Sequence, residues 1–532
     1  MYLGGGLVRV EITIVGPIFY GATMTRERRQ PLGIAYLAAV LEKERYKVTL
    51  VDPQVQAKNN SELVKVILSS GAKIIGITTL TSTFQNTLKV VRQIKRKNSD
   101  AFIVLGGPHA TATHSKIIKD HPFIDAVVRG EGEYTFRSLV MDLEQENCTS
   151  EIAGVTRRNG DRVIVGASTV PIMDLDNLPF PARHLLPPLK EYDLNAHIVS
   201  SRGCPWDCSF CSINQAYSER YRRLWRARSP QNVSNEMDQL VRSGAQYIGF
   251  ADDNFLVDPK RVRNLVEEMK RRKIEVKWGF GTRADLIVKN KNMLSTLSEN
   301  RCVHIELGME SGCQKVLDRY DKGTTTNNNE QAVKAIKDSG ITFSPGFIMF
   351  DADTTLDELE TNLRFIEKND LVLHDEMFEN SMFLIPGTRV YDEYVRRGLV
   401  HEGTYGFDYR IADSRVEEIR RLVFEYFKKY NGKRKAVLAS IQNALHRIKL
   451  ISRIEGVDRE ARSRLGELRG EYIASWVLMK MLPYKLHENA VQQETNLIER
   501  AGSDIRGEQL KISRLDRELG TLSRSLSMNP PS

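Results

Sequence analysis

A chain of 532 residues with 41% hydrophobic and 27% charged residues is globular and too long for one ordinary core. Its net charge of +9 is mild for this size and does not establish nucleic-acid binding. Six cysteines make no disulfide framework, no apolar run reaches membrane-span length, and no secretory pattern opens the chain; a cytoplasmic protein without a transmembrane segment is expected. Gly4-Gly5-Gly6 reads as a disordered leader.

Between residues 8 and 146, strand-like apolar runs at 8–15, 48–51, 73–78, 102–105 and 126–128 alternate with helical stretches near 32–44, 62–68, 84–95, 115–119 and 135–144. That rhythm predicts a flavodoxin-like, doubly wound parallel sheet of five strands. Ligands of such sheets sit outside the carboxyl ends of the strands. There the chain places Thr78-Thr79-Leu80-Thr81-Ser82-Thr83, Gly106-Gly107-Pro108-His109-Ala110-Thr111 and Arg129-Gly130-Glu131-Gly132-Glu133. Glycines admit close backbone approach, and hydroxyls suit the rim of a large, amide-rich ligand, although a hydroxyl row is also a common helix cap. No Gly-x-Gly-x-x-Gly follows the first strand, which argues against a dinucleotide cradle.

Residues 151–195 break the alternation. Segments 152–156 and 162–166 flank an Asn159-Gly160 turn, a hairpin signal, and a proline-bearing stretch from Asp174 to Arg183 follows. This region reads as an interdomain linker.

Strand patterns return at 197–200, 247–251, 277–281, 303–307, 342–350 and 379–384, predicting a partial (β/α)6 TIM barrel with its chemistry at the strand carboxyl ends. The first of these strands runs into Ser200-Ser201-Arg202-Gly203-Cys204-Pro205-Trp206-Asp207-Cys208-Ser209-Phe210-Cys211. Three thiolates at this spacing can wrap an iron–sulfur cube, which usually takes four, and so leave one iron open. An open metal position marks a catalytic site. A zinc knuckle would need a fourth ligand close by, and the next histidines are His197 and His304. Later strand ends carry Asp252-Asp253-Asn254, Thr282-Arg283 and Glu310-Ser311. Asp253 and Asn254 are suitable acceptors for an ammonium group, and Arg283 for pairing with a carboxylate. Arg220, Arg222, Arg223, Arg226 and Arg228, interleaved with Tyr221 and Trp225 and preceded by Tyr217, read as a solvated helix face with one or two arginines turned toward a bound ligand, in preference to a nucleic-acid patch. Cys148, Cys302 and Cys313 read as reduced core residues.

Beyond about residue 413, Val416, Ile419, Leu422, Val423 and Phe427 recur at helical spacing, and amphipathic stretches continue to Leu482, just before Pro483. The polar tail from about Gly502, ending Asn-Pro-Pro-Ser, reads as disordered. The divisions expected are 1–150, 151–195, 196–400 and 401–532.

The cysteine triad directly after a strand resembles the radical S-adenosylmethionine superfamily. The three loops of the first domain, with the helix start from Pro31 to Ala38, resemble the cobalamin-binding domain fused in front of such enzymes. The resemblance implies that Cys204, Cys208 and Cys211 hold a 4Fe-4S cluster whose free iron chelates S-adenosylmethionine. It implies that Asp253, Asn254, Arg283, Glu310 and Ser311 contact S-adenosylmethionine. It further implies cobalamin contacts at Thr79, Thr81, Ser82, Thr83, Gly106, Gly107, His109, Gly130, Glu131, Gly132 and Glu133. The Asp-x-His-x-x-Gly motif is missing, so cobalamin is expected base-off and without a histidine ligand from that motif.

The activity implied is a cobalamin-dependent methyltransferase acting on an unactivated carbon through a 5′-deoxyadenosyl radical and methylcobalamin. A non-methylating cyclase or ring-contracting enzyme is the alternative, and a non-enzymatic cobalamin or redox sensor a weaker one. A methylthiotransferase would need further cluster cysteines, and residues 1–147 contain none. The partners implied are a small-molecule, lipid or peptide substrate and an external one-electron donor such as flavodoxin or ferredoxin, with no nucleic acid.

Overall fold

The computed structural model describes residues 10–19, 28–145, 151–160, 162–216, 221–403, 406–451, 459–491 and 496–528. Gly4-Gly5-Gly6, Cys148, Tyr217, Arg220 and the terminal Asn-Pro-Pro-Ser lie outside them. The chain divides into two compact units, one of residues 1–308, 317–344 and 383–409, the other of residues 309–316, 345–382 and 410–532.

The first unit contains a seven-stranded sheet. Strands β1 (Ile12–Val15), β2 (Val48–Val51), β3 (Ile74–Thr78), β4 (Phe102–Gly106) and β5 (Ala126–Val128) are parallel in the order β2-β1-β3-β4-β5. Both faces are covered, so the strands read as nearly continuous apolar runs. Alternation still assigns each residue to a face: Val15, Val51, Ile75, Ile77, Ile103 and Leu105 join one core, and Ile14, Leu50, Ile74 and Val104 the other. The linker hairpin, β6 (Val155–Asn159) and β7 (Arg162–Val165), extends this sheet antiparallel beyond β5. Residues 151–166 are therefore part of the first sheet rather than a free connection.

One helix begins earlier than its sequence pattern suggested. The expected stretch at 115–119 is the end of a helix over Pro108–Asp120, entered directly from β4. Gly107 makes the turn at φ 90°, where an added Cβ would lie 2.7 Å from Thr78 Oγ1 and the Thr79 carbonyl, and Pro108 takes the first helical position.

The barrel sheet runs β14 (Thr342–Phe347), β13 (Cys302–Glu310), β12 (Lys277–Arg283), β11 (Tyr247–Phe250), β8 (Asn195–Ile198). Between β8 and β11 in sequence, the two-residue strands β9 (Ser201–Arg202) and β10 (Arg226–Ala227) pair antiparallel. The arginine-rich run is thus a turn leading into a strand, not a helix face: Arg226 and Arg228 are buried, Arg226 against the distant Glu131 and Arg228 against Glu236 of the helix that follows. The sixth strand expected at 379–384 is reduced to one parallel bridge, Phe350 to Ser381, because Asp375–Glu379 folds as a 3-10 turn.

In the second unit, helices Ser414–Ile451, Arg459–Val491 and Leu497–Met528 pack against one another. The last corrects the reading of a disordered tail. Ile505, Ile512, Leu515 and Leu519 recur on one helical stripe and are buried, so a segment polar in composition is helical by spacing. Pro483 likewise lies inside its helix rather than ending it. Among the described residues no helix is long and apolar enough to cross a membrane, and Cys302 is buried while Cys313 is partly exposed.

Candidate active site

The cluster loop is fastened at its entrance. Asp252, fully buried after β11, accepts from Ser200 N at 2.6 Å, Ser200 Oγ at 2.6 Å and Ser201 Oγ at 2.5 Å. Burial raises its carboxyl, opposed by Arg261 and these hydrogen bonds. Gly203 then turns at φ 83°, where a Cβ would meet the Leu224 carbonyl oxygen at 2.0 Å. Only glycine fits there.

Cys204, Cys208 and Cys211 follow. Cys211 N donates to the Cys208 carbonyl at 3.1 Å, and Ser209 N to that of Tyr320 at 2.9 Å. Burial raises the Cys204 thiol and pushes Cys211 up to about 12, with the neighbouring sulfurs adding to the shift. Such thiols become thiolates when a metal supplies the compensating charge. Three thiolates at this spacing suit a cube, in which each would hold a different iron.

The neighbouring strand ends approach these sulfurs. Asn254 Nδ2 lies 3.9 Å from Cys204 Sγ, and Asn254 Oδ1 accepts from Thr282 Oγ1 at 2.9 Å. Arg283 Nη1 lies 3.6 Å from Cys208 Sγ, while its other nitrogens hold Asp285 at 2.8 Å and the Lys322 carbonyl at 2.6 Å. Asp253 accepts from Gly203 N at 2.7 Å, and burial pushes its carboxyl up to about 6. Glu310 and Ser311 belong to the second unit, where Glu310 has φ 66° and Ser311 is buried with its Oγ 2.8 Å from Asn362 Oδ1.

A cavity of about 470 Å³ opens at the carboxyl ends of the first sheet. Its floor is a registered row, Ile14 beside Gly76 beside Val104, in which Gly76 leaves the gap. Gly106, Gly107, Gly130, Glu131, Gly132 and Glu133 line it. Thr79, Thr81, Ser82, Thr83 and His109 do not. Thr79 Oγ1 donates to the Gly106 carbonyl at 2.9 Å, and Thr83 Oγ1 accepts from Leu80 N at 3.0 Å. His109 is buried against Phe84 with Thr81 Oγ1 at 3.2 Å from Nδ1, and burial pushes it down to about 4. The hydroxyl row knits its own turn; Thr78 reaches the cavity in its place.

The opposite wall comes from the barrel: Val199, Ser201, Arg202, Ala251 and Asp253. Arg202, which motif reading passed over, donates to Glu133 at 2.6 Å and pairs with Glu131 at 3.4 Å. Arg226 holds the same Glu131 at 2.9 Å. Burial works against the Arg202 charge, but Glu133 and Glu131 outweigh it and raise its pKa. The signal available in the sequence was its position, one residue ahead of the Gly203-Cys204 turn and at a strand end.

A B12 binding domain model matches residues 26–140, and a Radical SAM superfamily model matches residues 198–366. An uncharacterized methyltransferase of Pyrococcus horikoshii is 30% identical over 379 residues, 70% of this chain and 79% of the relative. The chain belongs to the cobalamin-binding radical S-adenosylmethionine enzymes. An anaerobic magnesium-protoporphyrin IX monomethyl ester cyclase of Rubrivivax gelatinosus is 30% identical over 349 residues, 62% of this chain and 60% of the cyclase. The solved structure of OxsB, a cobalamin-dependent S-adenosylmethionine radical enzyme with aqua-cobalamin bound, shares the fold at TM-score 0.71 and 20% identity, over 96% of this chain and 81% of that one. As a member of this family the enzyme takes cobalamin, S-adenosylmethionine and a 4Fe-4S cluster.

Proposed function

We propose that this radical S-adenosylmethionine enzyme methylates an unactivated carbon of a small-molecule, lipid or peptide substrate. The observation that carries the reading is the single cavity walled on one side by the glycine-rich ends of the first sheet and on the other by Ser201, Arg202 and Asp253 beside the cluster loop. When bound, the cluster with S-adenosylmethionine supplies one-electron chemistry able to break an inert C–H bond, and cobalamin supplies a methyl group.

The chain's part is placement and exclusion of water. Cys204, Cys208 and Cys211 would hold the cluster, and Asp253, Asn254 and Arg283 line the approach to it. Gly106, Gly107, Gly130 and Gly132 would let a corrin approach the backbone, and the ion pairs of Arg202 with Glu131 and Glu133 hold the cavity walls together. The domain divisions at 195 and 400, the cytoplasmic setting and the flavodoxin- or ferredoxin-type donor belong to the same proposal.

The match to the magnesium-protoporphyrin cyclase supports a second reading, oxidative ring closure without methylation. Product mass separates the two. With methyl-labelled S-adenosylmethionine, a reductant and candidate substrates, methyl transfer adds one labelled methyl in place of a hydrogen. An unlabelled product lighter by two hydrogens would replace the first reading by the second.

A further inference from the structure

The barrel sheet is apolar on one face and polar on the other. Ile248, Phe250, Trp278, Phe280 and Ile305 are buried on its outer side. The residues that alternate with them face inward. In register across β12 and β13 these are Gly279 beside His304 and Gly281 beside Glu306. A Cβ on Gly279 would lie 3.2 Å from His304 Cβ, and one on Gly281 would lie 3.7 Å from Glu306 Cβ, so the four share one face. The glycines leave a floor of bare backbone, and the side chains beside it are polar. His304 has Thr342 Oγ1 at 3.0 Å from Nδ1 and Ser344 Oγ at 3.2 Å from Nε2. Glu306 pairs with Arg29 at 3.6 Å, yet the two side chains stay 61% and 51% exposed.

This face runs up to the cluster loop. Arg283, whose Nη1 lies 3.6 Å from Cys208 Sγ, follows Gly281 by two residues on the same strand, a rise of about 7 Å. A molecule held at Glu306 therefore lies one row below the residue that touches a cluster thiolate. Glu306 and Arg29 cancel in charge, so the pair selects neither an anion nor a cation. What it selects is polarity. A hydrocarbon laid over it would strip water from a carboxylate and a guanidinium and return no hydrogen bond. A molecule bearing both a donor and an acceptor would replace the water it displaces.

We propose, resting on the radical-enzyme reading above, that the substrate is a polar small molecule that donates to Glu306 and accepts from Arg29 on the inner face of the barrel. This narrows the three substrate classes to one and sets aside the hydrocarbon lipid. The bare backbone at Gly279 and Gly281 gives such a molecule room to lie flat against the sheet, with His304 and its two hydroxyl partners along one edge.

The test uses the full-length enzyme reconstituted with iron, sulfide and cobalamin, together with a reductant and methyl-labelled S-adenosylmethionine. It is offered three fractions of an extract of its own host cells: water-soluble small molecules, peptides and organic-phase lipids. Release of 5′-deoxyadenosine and incorporation of label are followed separately. The small-molecule fraction is expected to stimulate release and to take up the label. Glu306→Gln and Arg29→Gln should each raise the half-saturating amount of that fraction about fivefold, the loss of one hydrogen bond to a charged group. Both positions are exposed, and iron and cobalt counts show that each variant has assembled. Stimulation by the lipid or peptide fraction alone, or by none of the three, would overturn the assignment. So would an unchanged half-saturating amount in both variants, which would leave Glu306 and Arg29 a surface ion pair only. Release stimulated by small molecules without transfer of label would instead overturn methylation and leave the polar site standing.

Discussion

The two parallel sheets of the first unit prepare their carboxyl ends in opposite ways. On the flavodoxin-like sheet most polar groups of the hydroxyl row turn inward on their own loops: Thr79 and Thr83 bond to backbone and His109 to Thr81, and the ligand face is mainly glycine and aliphatic carbon, with Thr78, Glu131 and Glu133 the polar groups that reach it. On the barrel sheet the polar groups point at the site. Asp253, Asn254 and Arg283 approach the cluster loop directly, and each is held by another polar group. One end holds its ligand by shape, the other by charge and coordination. The broad face of a large macrocycle needs the first kind of surface, and a charged cluster with a charged co-substrate needs the second.

That contrast makes the two ends separable. Cys208→Ala should abolish cluster assembly and S-adenosylmethionine cleavage while cobalamin still binds; iron and cobalt counts after anaerobic reconstitution check this. Loss of cobalt together with iron would show that the ends are not independent.

Arg202→Met probes the seam between them. It leaves Glu133 and part of the Glu131 charge without a cation in a buried setting, which costs about 3 kcal/mol. A lower melting temperature and weaker cobalamin retention on desalting are expected. An unchanged melting temperature would mean that water screens these carboxylates.

Acid should act on both sheets alike. His109 on the first and His197 on the second are each pushed down to about 4 by burial, His197 also by Arg29 and Arg183. The unfolded chain takes up a proton near pH 6.5 and the folded one does not, so this stability is present above pH 6.5 and lost as pH falls toward 4. At pH 5 the loss is about 2 kcal/mol for each histidine. Urea titrations of the apoprotein at pH 7.5 and 5 measure it, and His197→Gln should remove that histidine's share of the difference, about 2 kcal/mol.

The smallest effect expected is that of His109→Gln on cofactor content. The ring faces Phe84 and Thr81 rather than the cavity, so cobalt content and the cobalamin spectrum should not change. A shifted spectrum would restore His109 to the corrin site.

The cysteine triad, the alternation of strands and helices and the glycine-rich strand ends were legible in the chain alone. Each is a local pattern: the reach of three thiolates, the period of a pleated strand or the freedom of a glycine is set within a few residues. The direction taken by polar side chains was not legible, because their partners are remote. Arg226 meets Glu131 across 95 residues and Arg202 meets Glu133 across 69, so the end of a run that looked like a solvated helix entered a buried two-residue strand. The same holds for Thr79, whose hydroxyl finds the Gly106 carbonyl 27 residues away instead of a ligand. Composition misled at the final helix, where four apolar residues on one stripe outweigh a polar average once neighbouring helices cover them. The chemistry of this enzyme was written locally, and tertiary structure decided which of its polar groups remain available to perform it, since a buried donor or acceptor must find its partner wherever the fold supplies one.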